Sequence, residues 1–254
     1  RATAEAVAAA GIGVVALPHT NLFLQGRGHS PMPRGLTAVA ALRAGKRYEQ
    51  RLRAQPLTIT PDLPRRMQID GAALDPVAGL VILLHKPLGM TCSHKEQGPL
   101  VYDILPDRWR RRDPAISTIG RLDKQTSGLL LLTDDGALLH RVISPKRHVK
   151  KTYRAKLDRP LSGQEAALFA AGKLLLEGED KPLAPAELEV ISDTEALLHV
   201  TEGRYHQVRR MFAATGNHVE TLHRECLGGL SLPDGMAPGE WRLLREDEIA
   251  LIFK

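Results

Sequence analysis

Leu129 to Leu132 form an unbroken apolar run, preceded by Thr126-Ser127-Gly128 and closed by Thr133-Asp134-Asp135-Gly136. A run this short is too brief for a helix and apolar on both faces, so it predicts a strand buried on both sides. Asp134-Asp135-Gly136 predicts a turn whose carboxylates can cap a following helix, and that helix is expected over Ala137–Ile143. Leu80–Leu84 is a second short apolar run and predicts another core strand, whereas Lys151–Leu157 alternates as a strand with two unlike faces does. Ser162–Ala171 predicts a helix, with Ser162 and Glu165 as a capping box and Gly172 as its stop. Glu187–Ile191 and Ala196–Val200 predict paired strands joined by Ser192-Asp193-Thr194. Tyr205–Thr215 predicts a helix ended by Gly216, His218–Glu225 a further strand, and Pro238–Arg242 with Glu246–Phe253 close the chain. Neighbouring strands with few intervening helices predict an α+β fold: a largely antiparallel mixed sheet with flanking helices, not a doubly wound one.

The pattern changes upstream of Gly79. Ala4–Ala10 predicts a short Ala-rich helix and Gly13–Leu17 a strand, after which Pro18 opens a loop. Gly45–Pro64 is basic and proline-bearing, which predicts a linker with a single helical turn at Tyr48–Arg53. Met67–Asp75 reads as a short hairpin strand. The expected division is an extension over 1–45, a basic linker over 46–78, and one principal domain over 79–254.

Charge narrows the function. The chain of 254 residues carries 35 Lys and Arg against 29 Asp and Glu, a net +6. A basic balance favours an anionic partner, most commonly nucleic acid. Aromatic residues are only 4%, so stacking platforms must be few. Cys92 and Cys226 are far apart and form no Cys-x-x-Cys, which argues against a disulfide framework and a cysteine zinc site. There is no His-x-His or His-Glu-x-x-His either, and the expected compartment is the cytoplasm. The apolar stretch Ala6–Pro18 falls short of the ~20 residues that span a bilayer, and its two glycines and weak basic lead-in disfavour a signal peptide. Between Arg141 and Leu157 stand Arg141, Lys146, Arg147, His148, Lys150, Lys151, Arg154 and Lys156, with no acid. Arg108–Arg112 around Trp109 is a second cluster, and Arg204, Arg210 and Arg224 make a third. Three such clusters around one motif predict a surface that tracks phosphates.

That motif is Gly120-Arg121-Leu122-Asp123, a tight loop set against the buried leucine strand. Rigid elements that hold a charged loop are where catalytic residues sit. The segment from Gly120 to Gly136 resembles the signature of RNA pseudouridine synthases, in the branch that acts on ribosomal RNA. Lys86-Pro87-Leu88-Gly89 resembles the family's first motif, Lys151-Thr152-Tyr153 its tyrosine motif, and Tyr205-His206-Gln207-Val208-Arg209 its later basic motif. The resemblance runs from about Leu80 to Phe253, and Glu202–Phe212 looks closest to the small-subunit rRNA enzymes. It implies that the N1–C1′ bond of a uridine breaks, the base turns, and a C5–C1′ bond forms, with no atom gained or lost and no cofactor or metal required. It implies that Asp123 attacks the sugar at C1′ or assists departure of the base. Arg209 would stand opposite Asp123 and keep it ionised in a buried pocket, against the desolvation that favours protonation. Tyr153 would pack under the base and accept a proton, and Arg121 would occupy the space of the flipped nucleotide or hold it out, since a base inside a helix cannot reach a carboxylate. The expected RNA contacts are Lys86, Arg121, Lys146, Arg147, Lys150, Lys151, Arg204, His206, Gln207 and Arg210. Helical spacing would put Tyr205 or His206 on one face with Arg209 and turn Arg210 away. The expected partner is ribosomal RNA or a ribosomal-subunit precursor, bound by a monomer with no membrane association.

Two weaker resemblances compete. Leu17–Arg27 with Pro33–Thr37 resembles one strand–loop–helix unit of cytosine-deaminase-like amidohydrolases, metal-dependent barrels, but lacks their His-x-His and later metal-binding Asp. One unit cannot close a barrel. Many pseudouridine synthases carry a small basic RNA-binding domain first, and Met67–Asp75 is either its last remnant or a plain hairpin strand. A catalytically silent RNA-binding assembly factor is the other alternative; the joint presence of Asp123, Tyr153 and Arg209 weighs against it.

Overall fold

The computed structural model describes residues 68–69, 72–73, 75, 79–94, 96–110 and 112–254. The expected helix at Ala4–Ala10, the strand at Gly13–Leu17, the linker at Gly45–Pro64 and the amidohydrolase-like stretch lie outside the described residues. Those that are described fall into two units: residues up to Ala78 together with Leu105–Ala115, and Gly79–Ile104 together with Ile116–Lys254.

In the first unit, β1 (Gln68–Ile69) and β2 (Ala72–Ala73) pair antiparallel as a minimal hairpin, Gln68 opposite Ala73. The single turn α1 (Asp107–Arg110) presents Trp109, whose indole N–H donates to Asp75 at 2.7 Å. Arg108 donates to the same carboxylate at 2.6 Å and Arg110 pairs with Asp107. The Arg108–Arg112 cluster, expected to face RNA, is therefore in part an internal ion-pair arrangement built on Asp75.

The second unit is a nine-stranded sheet. Its strands are β3 (Val81–Lys86), β4 (Ser117–Ile119), β5 (Thr126–Thr133), β6 (Lys151–Leu157), β7 (Glu187–Ser192), β8 (Glu195–Val200), β9 (Val219–Leu227), β10 (Leu230–Ser231) and β11 (Trp241–Leu243). They are ordered β11-β3-β5-β9-β6-β8-β7, with β4 on β5 and β10 on β9. The leucine run lies inside β5, buried everywhere except at Ser127. Every pairing is antiparallel except β5 with β9. That parallel contact needs Gly128: its φ is +109°, and a Cβ there would collide with the backbone carbonyl of Arg224.

Local chemistry sets the helices. Asp135 caps α2 (Gly136–Ile143), its side chain accepting from the N–H groups of Ala137 at 2.9 Å and Leu138 at 3.0 Å. Leu138 and Val142 on α2 then pack with Val81, Leu83, Leu129 and Leu131 as one core cluster. Elsewhere, Phe169 of α3 (Glu165–Ala170) meets Phe212 of α4 (Gln207–Ala214) edge to face, centroids 5.5 Å apart. The chain ends in α5 (Glu246–Leu251).

Two helix starts differ from the sequence reading, and two short strands were not expected. α3 starts at Glu165, three residues after Ser162; the carboxylate of Glu165 accepts the Ser162 N–H at 2.9 Å, so the expected capping box closes an entry turn, not the first helical turn. α4 starts at Gln207, because His206 takes a left-handed backbone, φ 49°, which ends helical continuity toward Tyr205. β4 and β10 are too short, three and two residues, for a period of two to reveal them.

Candidate active site

Asp123 sits on the loop between β4 and β5, where the Thr126 N–H donates to its carbonyl at 3.0 Å and closes a turn. The next three carbonyls are all held by side-chain cations. Lys86, at the end of β3 and wholly buried, donates from Nζ to Thr126 O at 2.9 Å and Lys124 O at 3.5 Å, and also to Pro87 O at 3.0 Å. Arg209 on α4 donates from Nη2 to Gln125 O at 2.8 Å and from Nη1 to Val219 O, at the start of β9, at 2.7 Å. The Gly89 N–H adds a bond to Lys124 O at 2.8 Å, which explains the Pro-x-Gly turn after Lys86. The loop carrying Asp123 is thus tied to β3, β9 and α4 through charge-assisted bonds, each stronger than a neutral one.

This arrangement corrects two expectations. Lys86 is no RNA contact: it is 0% exposed and its ammonium is occupied by carbonyls. Burial pulls it below the usual lysine range, opposed by the Cys92 thiol and the Asp123 carboxylate. Arg209 does not form the contact ion pair with Asp123. Its guanidinium is taken up by two carbonyls, and burial lowers its pKa while the Asp123 carboxylate raises it. The side chain in contact is His206, whose Nε2 lies 3.4 Å from Asp123 Oδ1. Asp123 is also not deeply buried, its side chain being 33% exposed.

The Glu202–Gln207 turn is held from within. Gln207, expected at the RNA surface, is buried: its Oε1 accepts the Arg204 N–H at 2.9 Å and its Nε2 donates to Glu202 at 3.0 Å. Arg204 donates to Glu179, Glu202, and the carbonyls of Lys181 at 2.7 Å and Pro182 at 2.6 Å. Arg210 donates to Glu179 at 2.8 Å and to Glu177 O. Both arginines, expected to meet phosphate, are neutralised by the segment 177–182, more than twenty residues upstream.

Tyr153 lies on a row that crosses the sheet: Lys86 pairs with Gly128, Gly128 with Arg224, Arg224 with Tyr153, and Tyr153 with Leu198. Paired residues share a face, so Tyr153 is on the same face as Lys86, with the Asp123 loop leading into the same strand row. Arg224, counted with the surface charges, is 2% exposed and donates from Nε to Leu129 O at 2.7 Å. Arg121 is open to solvent, 71% exposed, and 3.8 Å from Glu96. Lys146, Arg147 and Lys150 are exposed on the turn after α2, shaped by Pro145 and by His148 in the left-handed region, φ 49°. None of the three pairs with a carboxylate among the described residues. Lys151 is half-buried, donates to Val149 O at 3.0 Å, and is pulled down to about 8 by burial and then by Arg224.

Residues 80–214 match the RNA pseudouridylate synthase family. The chain belongs to that family. It is 48% identical over 173 residues to the ribosomal small subunit pseudouridine synthase A of Vibrio cholerae, a match spanning 68% of this chain and 74% of that protein. It is 46% identical to the protein of the same description from Escherichia coli, over 67% of this chain and 72% of that one. A solved pseudouridylate synthase superposes with a TM-score of 0.63 at 42% identity, covering 68% of this chain and 74% of the other. As a pseudouridylate synthase, the enzyme divides its cations in two: Lys86 and Arg209 build the loop that carries Asp123, while Arg121 and the turn from Lys146 to Lys150 face outward.

Proposed function

We propose that this pseudouridine synthase isomerises a uridine of small-subunit ribosomal RNA, with Asp123 as the group that acts at C1′. The observation that carries the reading is the placement of Asp123. Its carboxylate is partly open, so a sugar can reach it, and the turn behind it is fixed through three consecutive carbonyls. Preorganisation of this kind means the carboxylate need not be gathered into place as substrate binds. The N1–C1′ bond breaks, the freed base turns, C5 bonds to C1′, and the proton on C5 passes to N1, so atoms balance without a co-reactant. Tyr153, on the Lys86 row, packs under the base, takes a sugar proton as the base departs and returns it when C5 bonds to C1′. Arg121, exposed beside Asp123 in sequence, fills the space left by the extruded nucleotide. Lys146, Arg147, Lys150 and Lys151 hold phosphates. The small-subunit assignment is supported by the descriptions of the relatives.

The test is to incubate purified protein with unmodified small-subunit rRNA and map pseudouridine along it. Wild type is expected to convert a defined uridine and Asp123→Asn none. Conversion only in other RNAs overturns the substrate class; turnover by Asp123→Asn above a few per cent of wild type removes Asp123 from the reaction.

A further inference from the structure

Tyr205 did not enter the expected contact set, yet it is the most exposed large apolar side chain among the described residues, at 74%. The other described aromatic residues are less open: Tyr102 is 8% exposed, Tyr153 9% and Trp109 2%, Trp241 is partly buried, and Phe253 reaches 36%. The ring is not loose. It stacks on His206 with centroids 3.9 Å apart and planes 15° apart. His206 in turn places Nε2 3.4 Å from Asp123 Oδ1. A short column therefore runs from an exposed phenol ring through an imidazole to the carboxylate of the active site.

The column depends on a backbone that non-glycine residues seldom adopt, the left-handed φ of 49° at His206. Such conformations persist where surrounding contacts over-determine them, and they gather at functional sites. Here the contacts are the Gln207 N–H to Arg204 O at 3.2 Å and the Gln207 side chain bridging Arg204 N and Glu202. The buried network of this turn thus supports an exposed aromatic face next to Asp123.

We propose that Tyr205 is a stacking platform for a base flanking the target uridine, with His206 as the spacer that keeps that base one ring away from Asp123. This rests on the small-subunit RNA reading above. When the target nucleotide leaves the stack, its neighbour loses a stacking partner, and an exposed aromatic ring replaces it. The base on Tyr205 is not the one being isomerised, because His206 occupies the space between Tyr205 and the carboxylate. Stacking uses the π-face that every base has, so the platform fixes position without reading sequence.

The test uses the full chain and a small-subunit rRNA fragment around the mapped uridine, with 2-aminopurine replacing the base on each side in turn. Wild type and Tyr205→Phe are expected to quench the fluorescence at one flank, and Tyr205→Ala to leave it bright. Tyr205→Ala is expected to raise KM about 5- to 150-fold, the range for loss of one base–aromatic stack, with a smaller fall in kcat and an unchanged melting curve. Tyr205→Phe should lie within about twofold of wild type, since the ring and not the hydroxyl makes the stack. Equal quenching by wild type and Tyr205→Ala, failure of Phe to restore KM, or a lower melting point for Tyr205→Ala each overturns the proposal. Absence of turnover by wild type on small-subunit RNA overturns the substrate reading and this proposal together, whereas turnover with unchanged quenching overturns this one alone.

Discussion

The basic residues around α4 and those on the turn before β6 look alike in sequence and have opposite surroundings. Arg204, Arg209 and Arg210 each find acceptors inside the protein: carboxylates at Glu179 and Glu202, and carbonyls at Gln125, Lys181, Pro182 and Val219. Lys146, Arg147 and Lys150 stand exposed, with no carboxylate partner among the described residues. A cation that already donates to a fixed acceptor gains little from a phosphate, because the new contact replaces one already made. The first group therefore shapes the site, and the second remains exposed, as our proposal for phosphate contacts requires.

The comparison breaks most severely if the frame under the first group can be altered without harm. Gly128→Ala forces a Cβ into the Arg224 carbonyl and separates β5 from β9. It should cost about 4 kcal/mol or more, read as a large fall in the urea midpoint; a near-native midpoint would show that the parallel contact is adaptable.

Lys86→Met keeps the stem and removes the ammonium that ties Lys124 and Thr126. Leaving buried carbonyls without a donor should cost about 1–3 kcal/mol, and turnover should fall at least about 100-fold, since small displacements of a catalytic group are that costly. RNA affinity should hardly change. If affinity drops instead and turnover holds, Lys86 belongs with the outward cations.

Arg209→Ala frees the Gln125 and Val219 carbonyls and removes a positive charge near Asp123. A loss of about 1–3 kcal/mol with a lower kcat is expected. A change confined to KM would make Arg209 a phosphate contact instead.

For the second group, replacing Lys146, Arg147 and Lys150 together with Ala should leave the melting temperature alone. It should reduce the slope of log affinity against log salt by about 2 to 3, the signature of three lost phosphate contacts. An unchanged slope puts the RNA elsewhere.

The smallest effect concerns Lys151, whose pKa is lowered from the usual 10.5 to about 8. Between those values the unfolded chain binds a proton that the folded one does not, so this residue's contribution to stability rises as pH climbs through that window. Its charge on the RNA side goes the other way: present at pH 7, largely lost by pH 9. Affinity should weaken on the order of threefold between those pH values, as for one phosphate contact, and Lys151→Arg should remove the dependence. An equally steep pH profile in Lys151→Arg would assign the titration to another group.

How far the site was legible follows the same division. The loop that carries Asp123, the strand that carries Tyr153 and the helix that carries Arg209 were all legible in the sequence. That His206 and not Arg209 contacts Asp123 was hidden, because it depends on one left-handed residue that cuts Tyr205 and His206 off from the helical face assumed for them.

By itself the sequence determined what neighbours along the chain decide: the buried strand through Leu129–Leu132, the Asp135 cap, the alternation of β6, the largely antiparallel α+β class, and the loop that carries Asp123. These follow from steric and hydrogen-bonding preferences acting over a few residues. Only the tertiary structure decided which cations are free. Distant acceptors hold all three: one for Lys86 lies 40 residues away at Thr126, one for Arg209 84 away at Gln125, and one for Arg224 95 away at Leu129. A charge reads the same in every local window; whether it meets a carbonyl, a carboxylate or water is set by the chain that folding brings beside it.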